Sequence, residues 1–433
     1  MKKTLFTMLS VITLLSGCTK GDLKDNPLVK EWDTPFGTPP FELIESKHYL
    51  PAFEEGIKQH SKEIEDIINN KEEANFENTI AAFDFSGQLL AKVSGVFFNM
   101  TAAKTDADIQ AIEEKVGPMM SSHNDEVLMN NKLFERVKKV YDNKDKENLN
   151  QEQKALLEKT YKKFVRSGAL LDNEKQSKLK EVNKEITALE SKFVSNLLKE
   201  TKSYELVVDK EEDLKGLPEW LIASAKETAK NNKKDGKWVF TLDNPSVFPF
   251  ITYAENRDLR KEIFNARINR GNNGNENDNK EIITKIVNLR ATKAELLGYK
   301  TFADYVLEER MNKTPGEVYK LLEGLLAYSI PAAQKDAKEL QALLEKDHKG
   351  ATLEAWDWFY YSEKLKQKKF NFNEEETRPY FEINNVRQGC FDVLTKLFGV
   401  TFTQRDDIAV YISIVAGVMI FLFMITKITA ILQ

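Results

Sequence analysis

The sequence contains few glycines, prolines and cysteines for its length. Among its 433 residues, 19 are Gly, 12 are Pro and 2 are Cys. A collagen-like chain needs glycine at every third position and a small disulfide-stapled domain needs more cysteine, so both classes are excluded. Apolar residues make up 41% and aromatic residues 10%, which excludes a disordered chain. Charged residues reach 30%, and this composition favours long, solvated helices in about two or three packed units.

An excess of positive charge is also absent. The chain has 63 Lys and Arg against 68 Asp and Glu, which gives a formal net charge of -5. Binding to phosphate backbones needs a clustered positive surface, so a nucleic acid is not an expected partner. Histidine is scarce too, and zinc ligands must lie close together. The candidate soft ligands are far apart in the sequence: His48, His60, His123, His348, Cys18 and Cys390.

The start of the chain has the form of a secretory signal peptide. Residues 1–3 (MKK) precede an apolar stretch from Leu5 to Leu15, and the stretch ends in Leu-Ser-Gly-Cys. This ending resembles the lipobox of bacterial lipoproteins, so residues 1–18 are predicted to be a lipoprotein signal peptide with lipid on Cys18. The expected location is the bacterial cell envelope, on the periplasmic or outer face. The alternative is a plain signal peptide with an incidental cysteine. With Cys18 acylated, Cys390 has no partner for a structural disulfide.

The other end of the chain is apolar. Ile408 to Ile425 is uncharged over ~18 residues, the lower limit for crossing a bilayer. Its apolar residues lie all round the helix instead of forming one stripe, which favours a membrane span over a buried core helix. The few flanking charges give the positive-inside rule nothing to count, so the sequence assigns no orientation.

Composition divides the remaining sequence into regions. Residues 19–45 are rich in Pro, Gly and Asp and are predicted to form an extended tether. Residues 46–210 are interpreted as an N-terminal helical region and residues 211–405 as a second helical region. Residues 406–433 form the apolar tail. The predicted fold class is therefore mainly α with minor β structure and an apolar C-terminal helix.

Apolar residues recur at helical spacing over both regions. The predicted helices cover residues 47–70, 76–97, 109–119, 156–168, 179–197, 259–268, 282–297 and 318–326. The last of these begins with Thr314 as its cap and Pro315 in its first turn. The apolar intervals from Leu179 to Leu197 are 3, 4, 3, 4 and 4 residues. Packing within the chain is preferred for this helix, and a coiled coil with another molecule is the alternative.

Two short runs predict strands. Tyr204 to Val208 and Trp238 to Leu242 are rich in β-branched and aromatic residues and are bounded by turn residues, so they are expected to pair. A helix between them starts near Pro218. The polar segment Gly271 to Lys280 is interpreted as a solvated loop. Calcium binding is the alternative, although the spacing fits no EF-hand.

The sequence has no complete catalytic motif. H-E-x-x-H, G-x-S-x-G and phosphate-loop patterns are all missing. His60 with Glu63, and His123 with Asp125 and Glu126, are weak candidate ligand pairs, because acids beside one histidine are ordinary on a wet helix. The aromatic cluster from Trp356 to Tyr361 is interpreted as core packing, with one wall of a peptide groove as the alternative.

Many segments of the chain follow the pattern of one known protein family, in the family's order. The first are NPLVKEW (26–32), TPFGTPPF (34–41) and HYLPAFEEG (48–56). The family's order continues through RSGALL (166–171), FTLDNPS (240–246), TYAENRDLRKEIFNARINRGN (252–272), NDNKEII (277–283), LRATKAELLGYKTFADYVLEERM (289–311), EAWDWFYYSEKL (354–365), TRPYF (377–381) and VRQGCFDVLTKLFGVTF (386–402). These segments resemble the thimet oligopeptidase and peptidyl-dipeptidase family of zinc peptidases. The resemblance covers residues 26 to 411 and is strongest to bacterial peptidyl-dipeptidases.

This resemblance implies a mainly α-helical, zincin-like oligopeptidase whose deep channel admits short peptides and excludes folded proteins. In the family, zinc lies on an H-E-x-x-H helix and a downstream Glu, and the Glu of the motif acts as general base on zinc-bound water. Those residues follow the VRQGCFDVLTKLFGVTF segment in the family. None of them maps onto this sequence, so no catalytic, cofactor or metal residue is assigned, and zinc is not expected to bind this chain.

The sequence departs from the family pattern after Tyr411, and residues 412–433 look unrelated to it. The preferred hypothesis is the N-terminal portion of a secreted zinc peptidyl-dipeptidase, inactive alone, whose ending reflects a frameshift, a gene disruption or an assembly error. The alternative is a non-catalytic membrane lipoprotein that acts as a peptide-binding or scaffold module. On the first hypothesis, helices near Leu321 to Leu344 and Val386 to Phe402 should expose apolar surface and cause aggregation.

Overall fold

The computed structural model describes residues 23–411. Within this range the chain forms two compact units. The first contains the residues up to Thr187 together with those from Ile383 onward, and the second contains Ala188–Glu382. The boundary at residue 188 precedes the predicted one between regions 46–210 and 211–405, and the residues beyond 382 return to the first unit.

The structure is mainly α, as predicted. In chain order the elements are α1 (Tyr49–Asn69), α2 (Gln88–Ala103), α3 (Ala107–Leu128), α4 (Asn131–Asp142), α5 (Gln151–Arg166), α6 (Asn173–Ser203), β1 (Leu206–Val208), α7 (Glu219–Asn231), β2 (Trp238–Phe240), α8 (Asn244–Tyr253), α9 (Arg257–Ile268), α10 (Lys280–Leu296), α11 (Phe302–Leu307), α12 (Pro315–Asp347), α13 (Trp358–Phe370) and α14 (Ile383–Phe398). Short helical turns occupy Pro35–Gly37, Ser46–His48, Phe76–Ala81, Ala82–Asp84, Glu211–Leu214, Ala355–Asp357 and Glu374–Tyr380.

The first unit has two apolar clusters. One lies among α1, α2 and α3 and includes Phe53, Phe97 and Val116. The other lies among α1, α4 and α5 and includes Leu133 and Phe164. The helices begin where side chains satisfy free backbone amides, as at Asn150, whose side chain accepts from the Gln153 amide in a capping box.

Residues 26–44 pack on the helices of the first unit and do not extend away from them as a tether. The Leu28 side chain is 0% exposed and belongs to the α1–α2–α3 cluster. Asn26 donates from Nδ2 to the His48 carbonyl over 2.8 Å, and Trp32 donates from Nε1 to the Pro27 carbonyl over 2.7 Å. Burial of apolar side chains therefore outweighs the turn-rich composition that favoured a tether.

The predicted helix over residues 76–97 is interrupted. Phe76–Ala81 is a π-helical turn, and α2 begins only after Gly87. Gly87 has φ +75°, a left-handed conformation that glycine adopts without steric cost. A Cβ at this position would lie 3.2 Å from the His60 ring, so glycine also permits the close packing of α1 on this turn.

The second unit contains the only two strands of the described residues. They pair antiparallel, with Val207 opposite Val239, which confirms the predicted pairing. The helix between them, α7, begins after Pro218 as expected. The core of this unit combines both strands with α7, α8 and α9 and includes Phe240 and Phe250.

The long helix α12 begins as predicted. Thr314 accepts from the Glu317 amide in a capping box, and Pro315 occupies the first turn. The helix extends to Asp347 and includes the positions from Leu321 to Leu344 that were also expected to be helical. Its last turns pack on α13 through Leu340, Leu344 and Tyr361.

The predicted features of both chain ends lie outside the described residues. This applies to the signal peptide with Cys18 and to most of the predicted span from Ile408 to Ile425, of which only residues 408–411 are described. Within residues 23–411, no helix has the length and apolar character needed to cross a membrane.

Candidate functional site

Two of the four histidines meet in the first unit. His60 lies on α1 and His123 on α3, and Nε2 of His123 is 2.8 Å from Nδ1 of His60. Nε2 of His60 is in turn 3.1 Å from the Ser86 hydroxyl. His123 is 5% exposed. Burial is the largest influence on both imidazoles and lowers the pKa of His60 and of His123.

The acids beside these histidines take part in packing contacts. Glu63 accepts from the Gly87 amide over 2.6 Å. Both carboxylate oxygens of Asp125 lie 3.0 Å from Nδ2 of Asn183 on α6. Glu63 and Asp125, which were weak candidate ligands beside the histidines, therefore join elements of the first unit. The pairing of His60 with His123 was not predicted, because 63 residues separate two isolated histidines.

Zinc does not fit the described residues. Nowhere in residues 23–411 do three or more His, Cys, Asp or Glu side chains form a group that could hold a metal ion. His48 lies in a short helical turn, where its Nδ1 accepts from the Glu45 amide. His348 follows the end of α12, and Cys390 is exposed on α14. The zinc ligands that the family resemblance implies are not among these residues.

A shallow recess of about 360 Å³ lies beside His123. Three helices contribute to it, and its walls are Ile57, Pro118, Met119, Ser122, His123, Glu126 and Lys184. Pro118 lies inside α3 and has no amide hydrogen, so the helix loses one backbone hydrogen bond there.

The aromatic cluster in the second unit divides between core and surface. Tyr361 is 0% exposed and Tyr360 is also buried, which agrees with the core interpretation. Trp358 and Phe359 are 38% and 41% exposed. Successive residues of a helix point in different directions, so one cluster in the sequence contributes both to the core and to the surface.

A buried ionic cluster fixes α9 to the turn that precedes α13. Asp357 accepts from Nε of Arg257 over 3.0 Å and from Nη2 of Arg260 over 3.1 Å. Arg260 also donates from Nη1 to the Ala254 carbonyl over 2.7 Å, and its guanidinium lies 4.0 Å from the centre of the Tyr360 ring. Burial raises the pKa of the Asp357 carboxyl, but the hydrogen bonds from Arg257, Glu354 and Arg260 outweigh burial and leave the pKa lowered.

The first part of α12 exposes many large apolar side chains. Tyr328 is 82% exposed. The other exposed side chains of this surface are Tyr319, Leu321, Leu322, Leu325, Leu326 and Ile330. We call these seven residues the α12 apolar surface. Monomeric proteins rarely expose contiguous apolar patches of this kind, and such patches mark interaction sites.

The residues around α14, in the first unit, are also exposed. The exposed apolar side chains there are Ile383, Val386, Val393, Leu397 and Phe398. The predicted exposure of apolar side chains is thus confirmed for Leu321 to Ile330 and for Val386 to Phe398. It is wrong for Leu340 and Leu344, because these side chains are buried against α13.

Comparison with known proteins gives the family of the chain. The family model described as Peptidase family M3 matches residues 250–422, which include the Arg257–Asp357 cluster and the α12 apolar surface. Dipeptidyl carboxypeptidase of Escherichia coli is 34% identical over 387 residues, which cover 89% of this chain and 57% of that protein. Oligopeptidase A of Salmonella typhimurium is 28% identical over 390 residues, with the same shares of 89% and 57%.

The described residues are mainly α-helical, and residues 250–422 are similar to Peptidase family M3. These matches relate the chain to the thimet oligopeptidase and peptidyl-dipeptidase family. The chain spans about 57% of the length of the first curated relatives it matches. The resemblance was expected to end at residue 411, but the family match continues to residue 422.

Proposed function

We propose that this chain is the N-terminal helical portion of a zinc peptidase of the peptidyl-dipeptidase type, which hydrolyses short peptides. The main supporting observation is the α12 apolar surface, which lies inside the segment matched by Peptidase family M3. Exposed apolar surfaces of this kind mark sites of contact with another surface. On this proposal, the catalytic portion of the peptidase covers the α12 apolar surface.

The chain alone is proposed to be inactive. Its 433 residues contain no H-E-x-x-H motif. Residues 23–411 also contain no group of side chains that could hold a metal ion. Hydrolysis would then require a zinc-binding helix from sequence that this chain does not contain.

The location is a further part of the proposal. Cys18 follows the apolar stretch from Leu5 to Leu15 in a lipobox-like setting, and we propose that lipid on Cys18 attaches the chain to the bacterial cell envelope. Metabolic labelling with a fatty-acid analogue tests this attachment. We expect the native chain to be labelled and the Cys18→Ser variant to be unlabelled. Equal labelling of both chains would refute lipid attachment at Cys18.

Peptide hydrolysis by the purified full chain tests the proposed inactivity. Internally quenched peptides are incubated with the chain and zinc, and we expect no release of dipeptides above the rate without protein. Zinc-dependent release that disappears with a chelator would contradict the proposal.

The mass of the native product tests the proposal that this is a portion of a peptidase. An antibody against residues 19–405 recovers the product from its host. We expect a polypeptide larger than 49.7 kDa, or a second polypeptide with an H-E-x-x-H motif bound to the first. A product below 49.7 kDa with no such partner would favour the non-catalytic module, and binding of short peptides would then be measured directly.

A further inference from the structure

The His60–His123 contact is part of a directed chain of hydrogen bonds. The Ser86 hydroxyl donates its single proton to the Phe83 carbonyl over 2.7 Å. The contact of 3.1 Å between Ser86 and His60 therefore needs the proton on Nε2 of His60. Nδ1 of His60 is then an acceptor, and the contact of 2.8 Å needs the proton on Nε2 of His123.

With the protons placed in this way, Nδ1 of His123 carries no proton and accepts no hydrogen bond. Nδ1 of His123 is buried and has no hydrogen-bond partner in the described structure. A first added proton can bind there without disturbing the 2.8 Å contact, because Nε2 of His123 still donates to His60. A second proton must bind Nδ1 of His60. Two N–H groups then face each other, and the contact between the rings is lost.

Charged side chains surround the pair on several helices. Glu63 on α1 favours a protonated His60, whereas Lys163 on α5 disfavours it. Glu126 on α3 favours a protonated His123, and Lys184 on α6 lines the recess beside that ring. Charges of both signs oppose one another, so burial decides the outcome and keeps both rings neutral at pH 7.

We propose that the His60–His123 pair is an acid-sensitive link between α1 and α3, closed while at least one ring is neutral and opened by the second proton. The link joins two helices of the first unit at the turn where Ser86 and Gly87 lead into α2. This inference does not depend on the proposed peptidase function, because it concerns the packing of the first unit alone.

The sign of the pH dependence follows from proton linkage. Solvated histidine has a pKa near 6.5, whereas the buried pair binds protons only at lower pH. The open state therefore binds more protons than the closed state below about pH 6.5, and opening grows as the pH falls. With two protons taken up on opening, the open fraction rises by up to about 100-fold per pH unit.

Nuclear magnetic resonance of the full chain, labelled with nitrogen-15 and carbon-13 in histidine, tests the proton positions. The chain has 4 histidines, so the imidazole signals are few. We expect the signals of His60 and His123 to report Nε2–H tautomers and to titrate in two coupled steps below pH 6.5, with His123 protonated before His60. An Nδ1–H tautomer on either ring, or two independent titrations near pH 6.5, would overturn the proposal.

Hydrogen exchange tests the link itself. We expect the protection factors of α1 and α3 amides to fall steeply between pH 6.5 and pH 5 in the native chain. His123→Gln keeps an N–H donor toward His60 but has no titratable ring. Opening of this variant should therefore take up about one proton fewer than opening of the native chain, and its protection factors should fall less steeply with pH. His348→Gln, at the exposed end of α12, is the matched control and should behave like the native chain.

A second variant covers a failure of the first to fold. His60→Gln removes the other ring of the pair and should weaken the pH dependence in the same way. If the native chain and a folded glutamine variant lose protection with the same slope, the pair is not the acid-sensitive element and the proposal is wrong.

Discussion

Arg260 on α9 donates from Nη2 to Oδ1 of Asp357 over 3.1 Å, and both side chains are 0% exposed. Arg257 completes the cluster with a bond of 2.7 Å to the second carboxylate oxygen. Removing one partner from a buried ion pair leaves the other charge without compensation. The stability of the second unit should therefore depend strongly on Asp357.

Asp357→Asn is expected to destabilise the second unit by about 3–5 kcal/mol, because two arginines lose their carboxylate while Arg260 stays buried. Urea unfolding followed by tryptophan fluorescence measures the effect, since Trp220, Trp238, Trp356 and Trp358 all lie in this unit. Glu190→Gln is the control, because its pair with Arg290 is 41% and 46% exposed and should contribute no more than about 1 kcal/mol. Equal losses in both variants would contradict this prediction.

The same carboxylate predicts a loss of stability in acid. The pKa of Asp357 is lowered in the folded chain, so its contribution is fully present above the unfolded value of about 3.9. The contribution is lost as the pH falls below that value toward the folded pKa. We expect the difference in unfolding free energy between the native chain and Asp357→Asn to shrink between pH 5 and pH 3. A difference that stays constant over this range would show that the charge of Asp357 is not responsible.

The sequence predicts helices and strands better than it predicts these contacts. Periodicity identifies α6, α9 and α12, and β-branched residues identify β1 and β2, because each pattern lies within one element. Arg260 and Asp357 are 97 residues apart and His60 and His123 are 63 apart. Nothing in the local sequence shows that such residues meet, since tertiary packing brings them together.

The break before α2 shows a second limit. The apolar spacing from Phe76 to Phe97 is helical, yet Gly87 takes φ +75° and ends the run. A single glycine lowers the helical preference only by ~1 kcal/mol, so periodicity favoured one helix. The His60 ring packs on this turn, and that contact is visible only in the structure.

Two glycines of the second unit differ in their surroundings at nearly equal φ. Gly216 has φ +84°, and a Cβ there would lie 2.3 Å from the Tyr253 carbonyl oxygen. Gly236 has φ +82°, and a Cβ there would meet nothing within 4 Å. Gly236→Ala should cost about 1–2 kcal/mol for the left-handed backbone. Gly216→Ala should cost about 1–3 kcal/mol more, because the carbonyl must move. Urea unfolding of both variants measures the difference, and equal costs would show that the close approach is unimportant.

The polar loop from Gly271 to Asn279 is held by one buried carboxylate. Glu200 accepts from Nδ2 of Asn273 over 2.9 Å and from Nδ2 of Asn275 over 2.6 Å. Glu200→Ala should therefore expose the loop amides, seen as faster hydrogen exchange over residues 271–279. Glu276→Ala is the control in the same loop, because Glu276 is exposed and should leave exchange unchanged. Unchanged exchange in Glu200→Ala would show that the loop is ordered by other contacts.

The α12 apolar surface predicts that a polar variant will be better behaved than the native chain. Leu322 and Leu326 are 47% and 50% exposed and one helical turn apart, so Leu322→Glu with Leu326→Lys places a favourable ion pair on the helix surface. We expect weaker binding of an apolar-surface dye and less light scattering, with no loss in the unfolding midpoint. Leu344→Lys is the control at a side chain that is 0% exposed, and it should lower the midpoint and increase dye binding. If the double variant instead unfolds like Leu344→Lys, these leucines already have a covering partner within the chain, and the proposed contact with a catalytic portion loses its support.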